Sequence, residues 1–372
     1  MASATPAADA NSVRFAWSEV PFDGSVSAVT GDGSRFVAVG TGTDGVSSWT
    51  SSDGITWEED DVPERSFGQI GDGSGRELMA SMGQLVRLGD TLYSFGGMHF
   101  MDSETGVGWR WTDGSDWELI ESDSGFFDGG VAQVTASDDA LFGVNSGFTG
   151  GPRLSPSTWL WTPATSWVQT PLTTSADAEI AVYASAWGNG TFVAAGSSAR
   201  RVEGVQPWDW PQTPSMWTSP DGRIWTAIQP PAGMSSVCSL TARPSGGFVA
   251  LGRVGERAAA WTSLSGDVWL EGTIAPPDGV GAGQVFATPC NVVPVGEAML
   301  AIAPVEGGTT PIWTSIDGRS WAFGERLDVV GVHATKMAAL GDHALLFGNR
   351  VDPEAEGGFR SVLLRARTSP GG

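Results

Sequence analysis

Apolar positions along this chain come in short runs, and the runs recur. FVAVG (36–40), LYSFG (92–96), LFGVN (141–145), FVAAG (192–196), FVALG (248–252), MLAIA (299–303) and LLFGN (345–349) each follow a turn rich in Gly, Asp, Asn or Ser. A Trp-Thr pair follows the first six, at Trp49, Trp111, Trp161, Trp217, Trp261 and Trp313. A second tryptophan follows each pair, at Trp57, Trp117, Trp167, Trp225, Trp269 and Trp321. The units repeat every 50 residues or so, about the period of a propeller or solenoid repeat. The runs are rich in Val and Phe and are bounded by Gly and Asp, which is strand-and-hairpin chemistry. No window sustains a 3.6-residue apolar period with caps at its ends.

Each unit divides into four segments. The first is a strand such as 26–30, and a turn (Gly31-Asp32-Gly33) leads to the FVAVG-type strand. The third carries Trp-Thr, and a Ser-Asp-Gly turn joins it to the fourth, which carries the second Trp. Four antiparallel strands per repeat of this length predict a propeller blade. Seven units supply the first three strands, but only six are followed by a fourth, because SVLLRAR (361–367) stands where the last Trp-Thr strand belongs and the chain then ends. Arg14-Phe15-Ala16-Trp17-Ser18 looks like Ile55-Thr56-Trp57-Glu58. The N-terminal strand is therefore expected to complete the last blade and remove an open sheet edge. The expected fold is an all-β, seven-bladed propeller of four-stranded antiparallel blades in one domain, 13–367, with a flexible lead-in at 1–12 and a tail at 368–372. Six blades with an unpaired last unit is the alternative.

The clearest turns read WTSSDGITW, WTSPDGRIW and WTSIDGRSW. Asp53, Asp221 and Asp317 are placed to accept backbone N–H groups of their own turns. Gly54, Gly222 and Gly318 are placed to take a positive φ. Trp57, Trp225 and Trp321 then fill the widening gap between sheets. The turn resembles the Asp-box, or BNR repeat, of sialidases and related bacterial propellers, whose usual form is Ser-x-Asp-x-Gly-x-Thr-Trp. Here Asp and Gly are adjacent, and only Thr56 matches the family threonine. Ser265 replaces the Asp in the fifth unit, and WTDGSDW and WTPATSW are degenerate. The resemblance implies a propeller; function must be argued from a site, since such propellers include glycosidases, lectin-like proteins, assembly factors and receptors. A sialidase would also bring an arginine triad, a Tyr nucleophile paired with Glu, and a Phe/Tyr-Arg-Ile-Pro motif. That tetrapeptide is absent, Tyr93 falls inside a strand, and Tyr183 is the remaining tyrosine.

Charge and composition narrow the partners. Acidic residues outnumber basic ones 42 to 20, for a net charge of −22. Nucleic acid is not an expected partner, because phosphate binding needs a basic face. No run of 18 apolar residues occurs, so no membrane span is expected. Residues 1–12 lack the basic and apolar regions of a signal peptide. High Trp and a single lysine, Lys336, suit an extracellular or cell-surface protein whose signal segment is absent from this chain. Cys238 and Cys290 lie at corresponding places in units five and six; a disulfide and two free buried thiols are both open readings.

Loop length separates the two faces. The links between second and third strands, and between blades, are long and variable, which is where binding residues collect on a rigid scaffold. The second unit inserts 97–107 with His99 and Phe100; the third inserts 146–157 with Phe148 and Arg153. The fourth inserts 197–215 with Arg200, Arg201, Trp208, Asp209 and Trp210. Aromatic faces stack on sugars or peptides, and arginine pairs with carboxylates. Glu77, Asp128, Glu179 and His333 lie just before first strands, where they would ring the channel; the carboxylates are candidates for glycoside hydrolysis, with Tyr183 beside them. No metal site or cofactor is expected; the rim carboxylates could also hold Ca²⁺, and acidic Gly-rich stretches such as Gly71–Gly75, which fit no EF-hand spacing, are only a weak hint of it. The expected function is a non-catalytic, monomeric propeller binding a glycan or protein ligand through the long-loop face of blades 2–4. A sialidase-like glycoside hydrolase and a protein–protein scaffold are the alternatives.

Overall fold

Turns cut the chain into short strands, and no helix forms among the described residues of this computed structural model: 13–42, 45–62, 79–100, 103–120, 131–145, 157–172, 178–200, 202–205, 210–280, 285–303, 310–327, 332–354 and 359–369. The chain enters through β1 (Arg14–Val20). Blade 1 comprises β2 (Ser25–Gly31), β3 (Phe36–Gly42), β4 (Gly45–Ser51) and β5 (Glu58–Asp61). In blade 2 the first strand is split into β6 (Met79–Ser81) and β7 (Leu85–Leu88), both paired with β8 (Thr91–Phe100), and β9 (Ser103–Thr112) and β10 (Glu118–Ile120) follow. Blade 3 comprises β11 (Val131–Ala136), β12 (Leu141–Asn145), β13 (Thr158–Thr162) and β14 (Thr165–Gln169). Blade 4 comprises β15 (Ala178–Gly188), β16 (Thr191–Arg200), β17 (Gln212–Ser219) and β18 (Thr226–Ile228). Blade 5 comprises β19 (Met234–Ala242), β20 (Phe248–Val254), β21 (Arg257–Ser263) and β22 (Leu270–Glu271). A short β23 (Thr273–Ile274) then precedes the strands of blade 6: β24 (Asn291–Val295), β25 (Ala298–Ile302), β26 (Thr310–Ser315) and β27 (Ser320–Leu327). β23 joins the outer edge of that sheet, parallel to β27. Blade 7 comprises β28 (Val332–Leu340), β29 (His343–Val351) and β30 (Phe359–Ser369), and β1 is its fourth strand.

The ring closes on itself. β1 pairs antiparallel with β30 from Arg14 opposite Ser369 to Val20 opposite Leu363. Glu19 of β1 adds ion pairs to Arg350 at 2.8 Å and Arg360 at 3.5 Å. Around the axis, the first strands neighbour one another in the order β2, β7, β11, β15, β19, β24, β28 and back to β2. Seven apolar clusters fill the seven seams, each built from two adjacent blades. This is the seven-bladed arrangement, and the six-bladed alternative falls.

Two sequence alignments need correction. Trp49, Trp217, Trp261 and Trp313 lie opposite the third residue of their FVAVG-type runs and are at most 2% exposed. The same register in blades 2 and 3 belongs to Trp109 (opposite Ser94) and Trp159 (opposite Gly143), and not to Trp111 and Trp161. Both blades read Trp-x-Trp-Thr, and residues two apart share a face of a strand. Pattern alone therefore cannot choose between the two rings; the pairing chooses.

The recurrent glycine closing the FVAVG-type runs has a packing cause. The first strand bulges opposite it: register slips at Ser27 in blade 1, Tyr183 in blade 4 and Thr335 in blade 7. The bulge drives a carbonyl onto the partner strand, so that a Cβ on Gly196 would lie 1.8 Å from the Ala181 oxygen. A bulge leaves its extra residue unpaired and re-aims that side chain.

The Ser-x-Asp-Gly turns of blades 1, 4 and 6 pack against the blade before them. Asp53 Oδ1 accepts the N–H groups of Ile55 (2.7 Å) and Thr56 (2.9 Å), and Gly54 N donates to Ser51 Oγ at 2.8 Å. The N–H groups of Thr56 and Ile55 hold the Asp53 carboxyl below the ordinary aspartate range. Asp221 and Asp317 repeat the arrangement with Arg223 and Ile224, and with Arg319 and Ser320. The ring N–H of Trp225 and of Trp321 donates to Gly222 O and Gly318 O, and Trp57 packs against Phe22 and Phe347. In blade 5, where Ser265 stands for the Asp, its hydroxyl donates to Asp267 Oδ1 and Gly266 N still donates to Ser263 Oγ. Gly318 has φ +72°, and an added Cβ would lie 2.3 Å from Val249 Cγ2 of blade 5. Gly318→Ala combines backbone strain with overpacking at a seam, and is expected to cost about 1–3 kcal/mol. Urea unfolding checks this; an unchanged midpoint would show that the seam yields without cost.

Candidate functional site

The long-loop face takes its shape from strands that outrun the blade. In blade 4, β15, β16 and β17 remain paired as far as Ala178 opposite Arg200 and Ala199 opposite Gln212. Residues 197–200 and 212–215 of the fourth insertion are therefore strand and not loop. The same correction holds in blade 2: β8 and β9 pair through Gly97 opposite Gly106 to Phe100 opposite Ser103. The insertion at 97–107 is a lengthened hairpin that carries the backbones of His99 and Phe100.

Tyr183 stands where these extended strands meet the innermost ring. The bulge leaves it unpaired in β15, and it is 49% exposed. Its hydroxyl lies 2.9 Å from Ser197 Oγ of β16 and donates to Gln212 Oε1 of β17 at 3.0 Å. Ser197 Oγ donates to the same Gln212 oxygen at 2.5 Å. Three neighbouring strands thus fix the direction of one exposed phenol. Among the described side chains its partners are a hydroxyl and an amide, and not the carboxylate that a sialidase-type tyrosine nucleophile would have.

The other sequence candidates distribute as follows. Trp210 is 6% exposed and its ring N–H donates to Val205 O at 3.0 Å. It anchors its own loop, which corrects the expectation that it offers a ring to a ligand. Arg200 ends β16 and is exposed. Glu179 and His333 lie within β15 and β28, second from the start of each, and not just before them; of Glu179 only the backbone is described. Glu77, Asp128, Phe148, Arg153, Arg201, Trp208 and Asp209 lie outside the described residues. Among the described residues no group of three or more His, Cys, Asp or Glu side chains is placed to hold a metal ion.

Side chains stitch the innermost strands into a rigid ring. Gln84, at the break in the first strand of blade 2, accepts from Val134 N at 2.7 Å and donates to Ala132 O, across the bulge of blade 3. Thr135 Oγ1 lies 2.6 Å from Ser185 Oγ, joining blades 3 and 4. Asn291 Nδ2 donates to Thr335 O at 3.3 Å, joining blades 6 and 7. Cys238, the bulge residue of β19, is disulfide-bonded to Cys290 just before β24, with Cα atoms 5.2 Å apart. The bulge turns Cys238 out of the ladder toward the next blade, a displacement that residue spacing does not reveal.

Comparison with protein-family models and with curated proteins finds no match. Solved propellers do superpose. A virginiamycin B lyase from Staphylococcus aureus, in a catalytically inactive form with quinupristin, gives a TM-score of 0.57 at 9% identity, over 95% of this chain and 99% of that one. YCF48 bound to D1 peptide gives 0.54 at 14% identity, over 98% of each chain. A Trypanosoma rangeli sialidase with sialic acid gives 0.45 at 13% identity, over 94% of this chain and 58% of that one. The first two likenesses place the chain among β-propellers, and at these identities they show the fold alone.

Proposed function

We propose that the chain is a non-catalytic ligand-binding propeller that takes a partner-protein segment or a glycan on the long-loop face of blades 2–4. The observation that carries this reading is Tyr183: an exposed ring on a bulge of the innermost strand, its hydroxyl oriented by Ser197 and Gln212 beneath the lengthened strands of blade 4. A flat apolar ring with an oriented polar tip suits stacking on a sugar face or a peptide. The superposed YCF48 holds a peptide and the superposed lyase holds quinupristin, so long-range similarity in fold accompanies ligand binding in both. We further propose a working place outside the cytosol, which the Cys238–Cys290 disulfide supports, because such bonds persist in oxidising compartments.

The test is an array of glycans and peptides probed with the wild-type chain and with Tyr183→Ala, with and without calcium, read for bound protein and for released sugar. The expected result is a ligand class whose signal falls roughly tenfold or more in the variant, the scale of one well-placed anchor. Equal signals for both proteins would remove Tyr183 from the site. Release of sugar by the wild type would replace this reading with the hydrolase.

A further inference from the structure

Blade 7 is the one blade whose third and fourth strands are not joined by a turn, because β30 and β1 come from opposite ends of the chain. In blades 1, 5 and 6 that turn leans on the preceding blade. Gly54 of blade 1 sits on Leu345 and Arg365 of blade 7, Gly266 of blade 5 on Val193 and Thr218 of blade 4, and Gly318 of blade 6 on Val249 and Arg243 of blade 5. The preceding blade also donates to the turn. Arg365 Nε donates to Asp53 O at 2.7 Å, Asn189 Nδ2 to Leu264 O at 2.9 Å, and Arg243 Nη1 to Asp317 O at 2.9 Å.

At the seam between blades 6 and 7 no such turn is received among the described residues. Val13 reaches part of the way, its N–H donating to Thr314 Oγ1 at 3.4 Å. Beside it opens a cleft of about 780 Å³. Its walls include Val13 and Thr368, which by strand register occupy the place of the turn Asp, and, from blade 6, Val295, Ala298 and Ile316. The blade 6 turn that contributes to this wall carries Glu297, which is exposed and makes no ion pair among the described residues. Asp342 and Arg367, both also in the wall, pair with each other at 2.5 Å. Three intact seams thus offer a donor to the segment above them, whereas at the open seam Asp342 and Arg367 satisfy each other and the charged wall group without an ion pair among the described residues is the Glu297 carboxylate.

We propose that this cleft is a second binding site, on the short-turn face, for a short peptide segment carrying an arginine or lysine beside an apolar residue. The apolar side chain takes the room left by the missing turn, between Val13, Val295, Ala298 and Ile316. The cation pairs with Glu297, inverting the donor arrangement of the closed seams. Size and chemistry agree: the cleft suits a few residues, and a carboxylate at an apolar wall selects a cation with an apolar neighbour. The site is independent of Tyr183 and lies at the opposite end of the blades.

A displayed library of random heptapeptides is selected on the full chain. Binders are then measured by fluorescence anisotropy against wild type, Glu297→Lys and Ala16→Trp. Ala16 lines the cleft on β1 and is exposed, so the indole fills the cleft without entering the core. The expected result is a set of binders enriched in Arg or Lys next to an apolar residue, weakened roughly tenfold or more by Glu297→Lys and by Ala16→Trp, and unaffected by Tyr183→Ala. Binders without that signature, or binding equal in wild type and both cleft variants, overturns the proposal. Binding seen only after residues 1–12 are removed would assign the cleft to the chain's own lead-in and overturn it equally. Thermal unfolding of each variant close to wild type confirms that the loss is local.

Discussion

Deletion of residues 1–20 is expected to abolish cooperative folding, whereas deletion of 1–12 leaves the unfolding transition in place. β1 supplies the fourth strand of blade 7 and contributes to two seams at once. Phe15, 8% exposed, packs in the seam between blades 6 and 7 with Leu300, Ile312 and Leu364. Val20, 5% exposed, packs in the seam between blades 7 and 1 with Phe36, Leu345 and Leu363. Truncating a single buried Phe costs about 3–5 kcal/mol, and here a whole ladder and the Glu19 ion pairs go with it. Total stabilities of folded domains are about 5–15 kcal/mol, so the loss is of the same order as the whole. The remaining β30 would be a long unpaired edge, which templates association between chains. Size-exclusion chromatography and thermal unfolding read the outcome. A monomeric truncation with a sharp transition near that of the full chain would show that the ring does not depend on its closure.

The second large effect is expected from the disulfide. Cys238 and Cys290 are 52 residues apart in sequence, and closing a loop of that length restricts the unfolded chain by about 4 kcal/mol on the chain-entropy account. The bond also lies on the innermost strands, where it adds to the side-chain stitches between blades. Replacing both cysteines by serine is expected to lower the unfolding free energy by about 2–4 kcal/mol. Dithiothreitol should destabilise the wild type to the same degree and leave the double variant unchanged. If the variant and the wild type unfold at the same urea concentration, the inner ring is held by packing alone and the bond is incidental to stability.

Much of the architecture was legible in the amino-acid order, because a propeller writes its plan locally. Each blade repeats the same run, turn and ring, so seven runs with six following turns announce seven blades. The likeness of Arg14–Ser18 to the strand around Trp57 announces where the missing strand comes from. Turn chemistry is equally local: Asp53 finds its partners within three residues. The sequence by itself therefore determined strand content, blade number, the closing strand and the turn.

What only the tertiary structure decided depends on partners distant in the chain. Whether Trp109 or Trp111 takes the fully buried place in the seam is a matter of register, and register is set by the facing strand. The stretch 97–107 reads as a loop because the polar run Asp102-Ser103-Glu104-Thr105 interrupts any strand alternation, yet its two halves pair with each other. Trp210 reads as a free ring until Val205 O is seen to hold it. The Cys238–Cys290 bond waits on a bulge that turns one cysteine toward the next blade. The cleft between blades 6 and 7 has no sequence signature at all: it exists because the two chain ends meet there, and a turn that is never written leaves a space that only the assembled ring encloses.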